Sequence, residues 1–276
     1  MNKILLTILI LVFSISLSFS QNVGQEGDTL VNYKDINGMK QGHWSKKYRN
    51  GRVAYIADFK NDKLIGKYQR FYKTGKLSIE VNYGENESGS AQIYYDNKVL
   101  GAEGNYIHRN VKDGLWKYYG VDGRLVVEIT YSNGKKNGKE TTFWANGQKM
   151  EEKDWVDGKQ DGIWAQWFEN GKEKLKVRMI ADKRNGLYYG YYPNGRYFMK
   201  GRYKQNLKVG QWIYYDIDGN ITRDTQFTNG VPADKDEIDA KTTKEIEEWE
   251  KMDGVIPNPN LDNMFKYDKT YGPKSK

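Results

Sequence analysis

The chain has 276 residues, no cysteine and a formal net charge of +8. Without cysteine there is no disulfide, no thiolate zinc site, no thiol nucleophile and no lipidated N-terminal cysteine. A mean hydropathy of −0.87 beside 14% aromatic residues leaves little aliphatic material for a thick core, and points to a thin, partly solvated sheet in one extended array.

Residues 1–20 read as a secretory signal peptide. Lys3 gives a basic start, an apolar stretch runs from Ile4 to Phe19, and the small residues Ser18 and Ser20 stand at −3 and −1 of a cleavage point before Gln21. The alternative is an uncleaved anchor, for which the stretch is short against a span of about 20 residues. The chain is therefore expected to be exported. Residues 21–36 form an N-terminal capping segment, in which Thr29 to Lys34 supply a half-hairpin before the Asn37-Gly38 turn.

Residues 37–230 carry an internal repeat. Gly42, Gly66, Gly114, Gly138, Gly162, Gly186 and Gly210 fall on one 24-residue grid, with Ser90 in the empty slot. Gly51, Gly75, Gly123, Gly147, Gly171, Gly195 and Gly219 form a second grid nine residues later, with Val99 in its empty slot. The second grid is mostly preceded by Asn or Asp, as in Asn50-Gly51 and Asp122-Gly123, the pattern of a type I′ hairpin turn. A second turn, seen at Asn37-Gly38, Asn133-Gly134, Asp157-Gly158 and Asn229-Gly230, joins the repeats. Eight repeats then give an up-and-down meander of about sixteen strands. A two-residue turn pairs Arg49 with Arg52, and counting outward pairs Gly42 with Phe59, Gly66 with Tyr83, Gly114 with Tyr131, Gly138 with Trp155, Gly186 with Tyr203 and Gly210 with Phe227. In this reading each ring covers a cross-strand glycine.

Period-two alternation places Leu77, Ile79, Val81 and Tyr83, or Leu125, Val127, Ile129 and Tyr131, on one apolar face. The rings two residues after each first-grid glycine, Trp44, Tyr68, Trp116, Trp164, Tyr188 and Trp212, share it. Twisting or curling that packs these rings on each other is the expected escape from aggregation. The third repeat, Ser90 to Asp113, lacks both grid glycines; its turn is placed near Asp96-Asn97, with a local bend or bulge.

The opposite face receives a row of rings five residues after the first glycine: Phe71, Tyr95, Tyr119, Phe143, Trp167, Tyr191 and Tyr215. Basic residues follow the turn on that face, at Arg52, Lys76, Arg124, Lys172 and Arg196. Such a ladder with a basic rim can grip an extended polymer or peptide; the plainer reading is that the rings pair across their own strands.

Residues 231–254 read as a helix that starts at Asp234 with Glu237 three residues on, runs to about Met252 and stops at Gly254, capping the open sheet end. Residues 36–230 hold 34 basic and 22 acidic residues, a net +12, whereas 231–276 hold 8 and 11, a net −3. The acidic helix is accordingly expected to lie against the basic sheet. The last segment, 255–276, keeps Leu261, Met264, Phe265, Tyr267 and Tyr271 and is a candidate docking tail.

Catalytic chemistry has no candidate. His43 and His108 are far apart in sequence, and neighbours such as Glu151 and Glu152 point to opposite faces of a strand. The glycines sit at hairpin turns and not between a strand and a helix. No metal, cofactor or enzymatic activity is expected.

The run Gly162-Ile163-Trp164-Ala165-Gln166-Trp167-Phe168-Glu169-Asn170-Gly171 resembles the MORN repeat, in the bacterial variant labelled YwqK-type antitoxin. A weaker likeness is to choline-binding wall repeats, whose period is shorter. The MORN resemblance covers about residues 37–230 and implies an elongated, curved single-layer antiparallel β-meander used as a binding or scaffold module. The antitoxin label implies a cytosolic partner, against which the apolar leader speaks. The Ser-Phe-Ser-Gln junction and the Asn-, Lys- and Tyr-rich composition resemble exported proteins of Bacteroidota. They imply a Gram-negative envelope, periplasmic or outer-surface. The function expected is a non-catalytic scaffold for a protein partner there; the alternative is a glycan-binding module for peptidoglycan or surface polysaccharide. Nucleic acid is not expected as a partner, and a membrane only through the signal peptide before cleavage.

Overall fold

Alternating side chains and left-handed turn residues dictate antiparallel hairpins, and these are what the chain forms. A computed structural model describes residues 24–26, 29–84 and 86–251. Residues 1–20, expected to be a signal peptide, and the candidate docking tail with Leu261, Met264, Phe265, Tyr267 and Tyr271 lie outside the described residues. The fold is all-β with one C-terminal helix.

The chain divides into two compact units: the first runs to Leu125 and adds Tyr131–Gly134, and the second takes Val126–Thr130 and continues from Lys135. The first holds β1 (Gly24–Glu26), β2 (Thr29–Val31), β3 (Tyr33–Lys34), β4 (Lys40–Lys47), β5 (Val53–Lys60), β6 (Lys63–Phe71), β7 (Leu77–Tyr83), β8 (Gly89–Tyr94), β9 (Leu100–Ile107) and β10 (Val111–Tyr119). Strand β11 (Leu125–Ser132) has residues in both units. The second holds β12 (Lys135–Phe143), β13 (Lys149–Val156), β14 (Lys159–Trp167), β15 (Glu173–Ile180), β16 (Lys183–Tyr191), β17 (Tyr197–Lys204), β18 (Leu207–Tyr215), β19 (Ile221–Thr228), β20 (Val231–Pro232) and α1 (Lys235–Lys251). Within each unit successive strands from β3 to β10, and from β12 to β20, pair antiparallel. At the first edge β3 pairs with β4, while Val31 of β2 meets His43 in parallel.

The register follows the sequence reading at Gly42↔Phe59, Gly66↔Tyr83, Gly138↔Trp155, Gly186↔Tyr203 and Gly210↔Phe227. The turn chemistry differs. At Asn50-Gly51 the Tyr48 N–H donates to the Arg52 carbonyl and the Gly51 N–H to the Tyr48 carbonyl. Only Gly51, at φ +81°, is left-handed. This is a type I turn followed by a glycine bulge, so Tyr48, not Arg49, stands opposite Arg52. A one-residue shift between Lys46 and Lys47 then restores the register that a two-residue turn would give. The type I′ geometry belongs to the inter-repeat turns, where both central residues are left-handed: Asn133 (49°) with Gly134 (82°), Asp157 (53°) with Gly158 (83°), Asn229 (50°) with Gly230 (88°). Asn61-Asp62, Ala181-Asp182 and Gln205-Asn206 do the same without glycine. Asn37-Gly38 is of the first kind, with Gly38 donating to the Asp35 carbonyl.

The first-grid glycines have a different reason from the one expected. An added Cβ on Gly42, Gly114 or Gly210 would meet nothing within 4 Å, so no ring covers them. All first-grid glycines are at positive φ, where side chains other than glycine's are strained, and Gly66, Gly114, Gly162, Gly186 and Gly210 fall at mid-strand bulges. Their backbone takes two forms. Gly66, Gly114 and Gly210 have φ of +61°, +68° and +66°; Gly138, Gly162 and Gly186 have +113°, +126° and +126°. Ala57 or Gly201, nine residues before, accompanies the first form at Gly66 and Gly210, and Gly104 holds the same place before Gly114 one residue earlier. Ile129, Lys153 and Val177 accompany the second.

The irregularity expected in the third repeat lies between Ile93 and Tyr94, where the register of β8 against β9 shifts, and not at its start. Strands β7 and β8 pair from Ile79↔Ile93 to Tyr83↔Gly89 with no shift. A five-residue connection replaces the two-residue one, with Glu87 left-handed at 58°. Its hairpin turn does lie at Asp96-Asn97, with Lys98 at φ +71° in the glycine's place.

Among the residues whose burial is described, the helix packs little against the sheet. Apart from the half-buried Ile238, the residues of α1 whose burial is described are exposed, Ile246 among them. Its tether is Asp234, which accepts two hydrogen bonds from Arg223 (2.8 and 2.7 Å) and one from Thr225 (2.7 Å). These partners, Arg223 first, hold the Asp234 carboxyl at about 2, down from 3.8. A depressed carboxylate stabilises above its ordinary value and is lost as pH falls through the folded one. The helix attachment is therefore expected to persist down to pH 3.8 and loosen toward pH 2. Faster amide exchange at residues 234–238 over that window would be the readout, and no change across it would contradict the tether.

Candidate functional site

Two rows of turns run along the repeats, and both are tied to the next repeat. At the type I turns a ring donates to a backbone carbonyl 22 to 24 residues on: Tyr48 to Phe71 (2.7 Å), Tyr72 to Tyr94 (2.7 Å), Tyr95 to Tyr119 (2.8 Å), Trp144 to Trp167 (3.1 Å) and Tyr192 to Tyr215 (2.9 Å). The turn asparagine does the same, Asn50 to Lys73, Asn97 to Val121, Asn146 to Glu169, Asn170 to Pro193 and Asn194 to Ile217. At the other edge, the N–H groups of Gly134, Gly158, Asp182, Asn206 and Gly230 donate to the carbonyl 22 residues earlier. Tyr192→Phe removes one such half-buried donor, so a loss of about 1 kcal/mol in unfolding free energy is expected. Chemical denaturation measures it, and an unchanged midpoint would contradict the stitching role.

This stitching accounts for much of the candidate rim. Arg52 donates to the Lys73 carbonyl, Lys76 to Asp96, Lys172 to Asn194, and Arg196 to Ile217 and Asp218. Arg124 pairs with Asp122 of its own turn. These cations hold turns together. The candidate ladder residues are all half-buried. Tyr95 leaves the row, because the third repeat is displaced by one residue; Tyr94 stands in its place opposite Leu100. Rings make a continuous plate at Tyr191, Tyr197 and Tyr215, with centroids 5.0 and 6.3 Å apart. Burial, with Tyr197 and Glu173 beside it, pushes the Tyr191 hydroxyl up. Phe71, Tyr119, Phe143 and Trp167 stand in their own repeats, and Tyr119 donates to Glu103.

The apolar face was legible and is where each unit keeps its core. In unit one Val81, Ala91, Ala102 and Trp116 are buried, with Tyr68, Ile79, Tyr83 and Ile93 packed on them. In unit two Val177, Met179, Tyr203, Trp212 and Phe227 are buried, with Trp164, Leu175 and Tyr188 against them. Cations cover the rings: Lys40 lies 4.9 Å from Trp44, Lys112 4.7 Å from Trp116, and Lys208 4.5 Å from Trp212. All three stand two residues before a first-grid glycine, a spacing that the sequence reading passed over. Each contact contributes about 0.5–2 kcal/mol while keeping the ammonium wet.

Trp116 and Trp212 are the largest fully buried side chains among the described residues, at 0% exposure. Their indoles lie on Gly104 and Gly201, where an added Cβ would approach to 2.4 and 2.2 Å. Rings therefore do cover glycines, most closely these two, but not Gly42, Gly114 or Gly210 of the first grid. Each tryptophan also donates to a strand carbonyl, Asn105 (2.9 Å) or Arg202 (3.2 Å). Behind each pair the opposite face is hollow. The unit-one hollow, about 450 Å³, is polar, with Glu80, Glu103, Asn105 and Lys117. The unit-two hollow, about 310 Å³, is lined by Leu187, Tyr189, Val209 and Ile213, with Lys200 and Arg202.

Several other titratable groups are in ion pairs. His43 Nδ1 lies 3.0 Å from Asp58, and Lys139 bridges Glu152 and Asp154 at 2.8 and 3.0 Å. Among the described residues no group of three or more His, Asp or Glu is placed to hold a metal, and no helix is long and apolar enough to cross a membrane.

Residues 64–84 match the MORN repeat variant. No curated protein matches the chain. Among solved structures, similarity is found to TarM, at 16% identity and a TM-score of 0.26 over 36% of this chain and 19% of that one. A mutant of S. aureus TarM, solved with Fondaparinux, alpha-GlcNAc-glycerol and UDP, gives 15% identity and 0.28 over 39% and 21%. TcdB2-TccC3-TEV gives 11% identity and 0.18 over 69% and 11%. The chain thus spans about a fifth or less of the solved chains it matches, and likenesses at these scores carry no functional argument. What the chain shares with a known family is the single stretch 64–84, a MORN repeat variant within a hairpin array.

Proposed function

We propose that the chain is a non-catalytic repeat scaffold that binds a protein partner in the cell envelope. The observation that carries this reading is the closure of both turn rows on neighbouring repeats. Polar groups at the edges are consumed in building the array, and the strand faces remain as surface for attachment. The MORN repeat variant at 64–84 supports the scaffold part; the apolar stretch from Ile4 to Phe19 supports the envelope part. A glycan-binding reading is favoured by one feature, the plate of Tyr191, Tyr197 and Tyr215.

A photo-crosslinking residue in place of the exposed Leu187, in the native host, tests the proposal after fractionation. One discrete protein adduct in the envelope fraction is the expected result. A chain retained in the cytosol, or an absence of adducts at Leu187 and at other face positions, would overturn it. Sedimentation with purified peptidoglycan that is lost on Tyr191→Ala with Tyr215→Ala would move the assignment to glycan.

A further inference from the structure

The back face of unit two carries a cluster of cations on β15 and β17. On β15 the buried Val177 and Met179, with the half-buried Leu175, turn to the core, so Lys176 and Arg178 turn away from it and are exposed. On β17 Met199 and Tyr203 face the core, and Lys200, Arg202 and Lys204 face the back. None of these five cations is in an ion pair among the described residues. The acids on this face have partners: Asp224 is hydrogen-bonded by Gln211, Glu152 and Asp154 are held by Lys139, and Glu173 lies against Tyr191.

Between the two cationic strands lies an apolar one. Tyr189 of β16 stands opposite Lys176 on one side and Lys200 on the other. Leu187, 49% exposed, stands opposite Arg202, with Arg178 across the bulge. Beyond β17 the apolar pattern resumes, with Ile213 opposite Lys200 and Val209 opposite Arg202. The hollow behind Gly201 opens here. Cations therefore flank an apolar floor two strands apart, roughly 9–10 Å.

We infer that this face, centred on Leu187 and Tyr189, docks an acidic peptide segment of a partner protein that carries apolar side chains. The proposal rests on the protein-scaffold reading and specifies its partner. Apolar side chains of the segment enter the hollow over Leu187, Val209 and Ile213, while its carboxylates reach Lys176 and Arg178 on one side and Lys200 and Arg202 on the other. Arginine forks suit carboxylates. An aliphatic floor favours a peptide over a sugar-phosphate or uronate polymer, which would bring charge without side chains to fill it. The unit-one hollow has the same origin but is lined by Glu80 and Glu103, so it serves as an internal control.

The test titrates the full-length chain into a fluorescein-labelled synthetic peptide, Asp-Leu-Asp-Glu-Leu-Asp-Glu, at about 0.1 M salt. Saturable binding is expected, with loss when the acids of the peptide are replaced by amides. Arg178→Glu with Arg202→Glu is expected to weaken it by about tenfold or more, and Leu187→Ser several-fold, each with unchanged thermal unfolding. Should the double reversal disturb folding, Arg178→Gln with Arg202→Gln serves in its place. No binding to the parent chain, or equal binding by the variants, would overturn the proposal. So would displacement of the peptide by a heparin fragment or oligodeoxythymidylate with no effect of Leu187→Ser, which would mark a general polyanion surface. A crosslinked adduct in the host that survives the double reversal sinks this docking site and leaves the scaffold reading standing; absence of any adduct sinks the scaffold reading itself.

Discussion

Gly201→Ala is expected to expel Trp212 from its seat and to lower the stability of unit two by about 3–5 kcal/mol, the range for losing a buried tryptophan or phenylalanine. The single added carbon would lie 2.2 Å from the indole Cδ2 and 2.3 Å from Cε2. The ring cannot shift cheaply. It is fully buried, with Tyr203 at 5.0 Å, Tyr188 at 5.7 Å and Phe227 at 6.1 Å, and Lys208 over its face. Its N–H donates to the Arg202 carbonyl, so a displaced ring also gives up that bond, another 1 kcal/mol or so. Denaturant unfolding followed by tryptophan emission reads both effects. A red-shifted native spectrum and a sharply lowered midpoint are expected, and stability within about 0.5 kcal/mol of the parent would contradict the seat. Gly104→Ala is the counterpart in unit one, beneath Trp116.

The two bulge forms give the second large effect. Gly162→Asn is expected to cost about 3 kcal/mol or more, whereas Gly210→Asn costs about 1 kcal/mol. Gly210 sits at φ +66° with nothing within 4 Å of an added Cβ, close to the left-handed well near +57° that asparagine visits most readily. Gly162 sits at φ +126°, outside that well, and an added Cβ would lie 2.5 Å from Asp154 Cβ. Asp154 in turn accepts from Ile163 N–H at 2.8 Å, so it is fixed from the other side. Equal losses for the two substitutions, by thermal or denaturant unfolding, would show that the φ difference has no energetic weight.

What the sequence disclosed was period and parity. The glycine grids located the hairpins, and alternation placed Val81, Ile129 and Trp212 on one face, because strand geometry leaves only two faces to choose between. Turn type was less legible. A type I turn with a glycine bulge and a type I′ turn both accept Asn-Gly, and they differ only in whether the asparagine is left-handed. The compensating shift at Lys46 to Lys47 let the wrong turn yield the right register. Gly104 and Gly201 escaped notice because they belong to neither grid; their signal is a tryptophan two residues after the bulge glycine and a glycine nine or ten before it. The helix was misplaced on the sheet because charge opposition was taken for packing. Among the residues of α1 whose burial is described, Ile238 is half-buried and Ile246 exposed, and surface charge pairs stabilise little. Of the candidate site, the ring row was legible as a sequence pattern, but the use of Arg52, Lys172 and Arg196 as turn clasps depends on carbonyls 21 or 22 residues away.

Hydrogen-bond scalar couplings measured by solution NMR address the account most directly. Couplings are expected from the amides of Gly158, Asp182, Asn206 and Gly230 to the carbonyls of Lys136, Gln160, Arg184 and Lys208, a constant reach of 22 residues. Couplings at the four-residue reach of a helix, or rapid exchange at all four amides, would contradict an array built by joining each hairpin to the one before it.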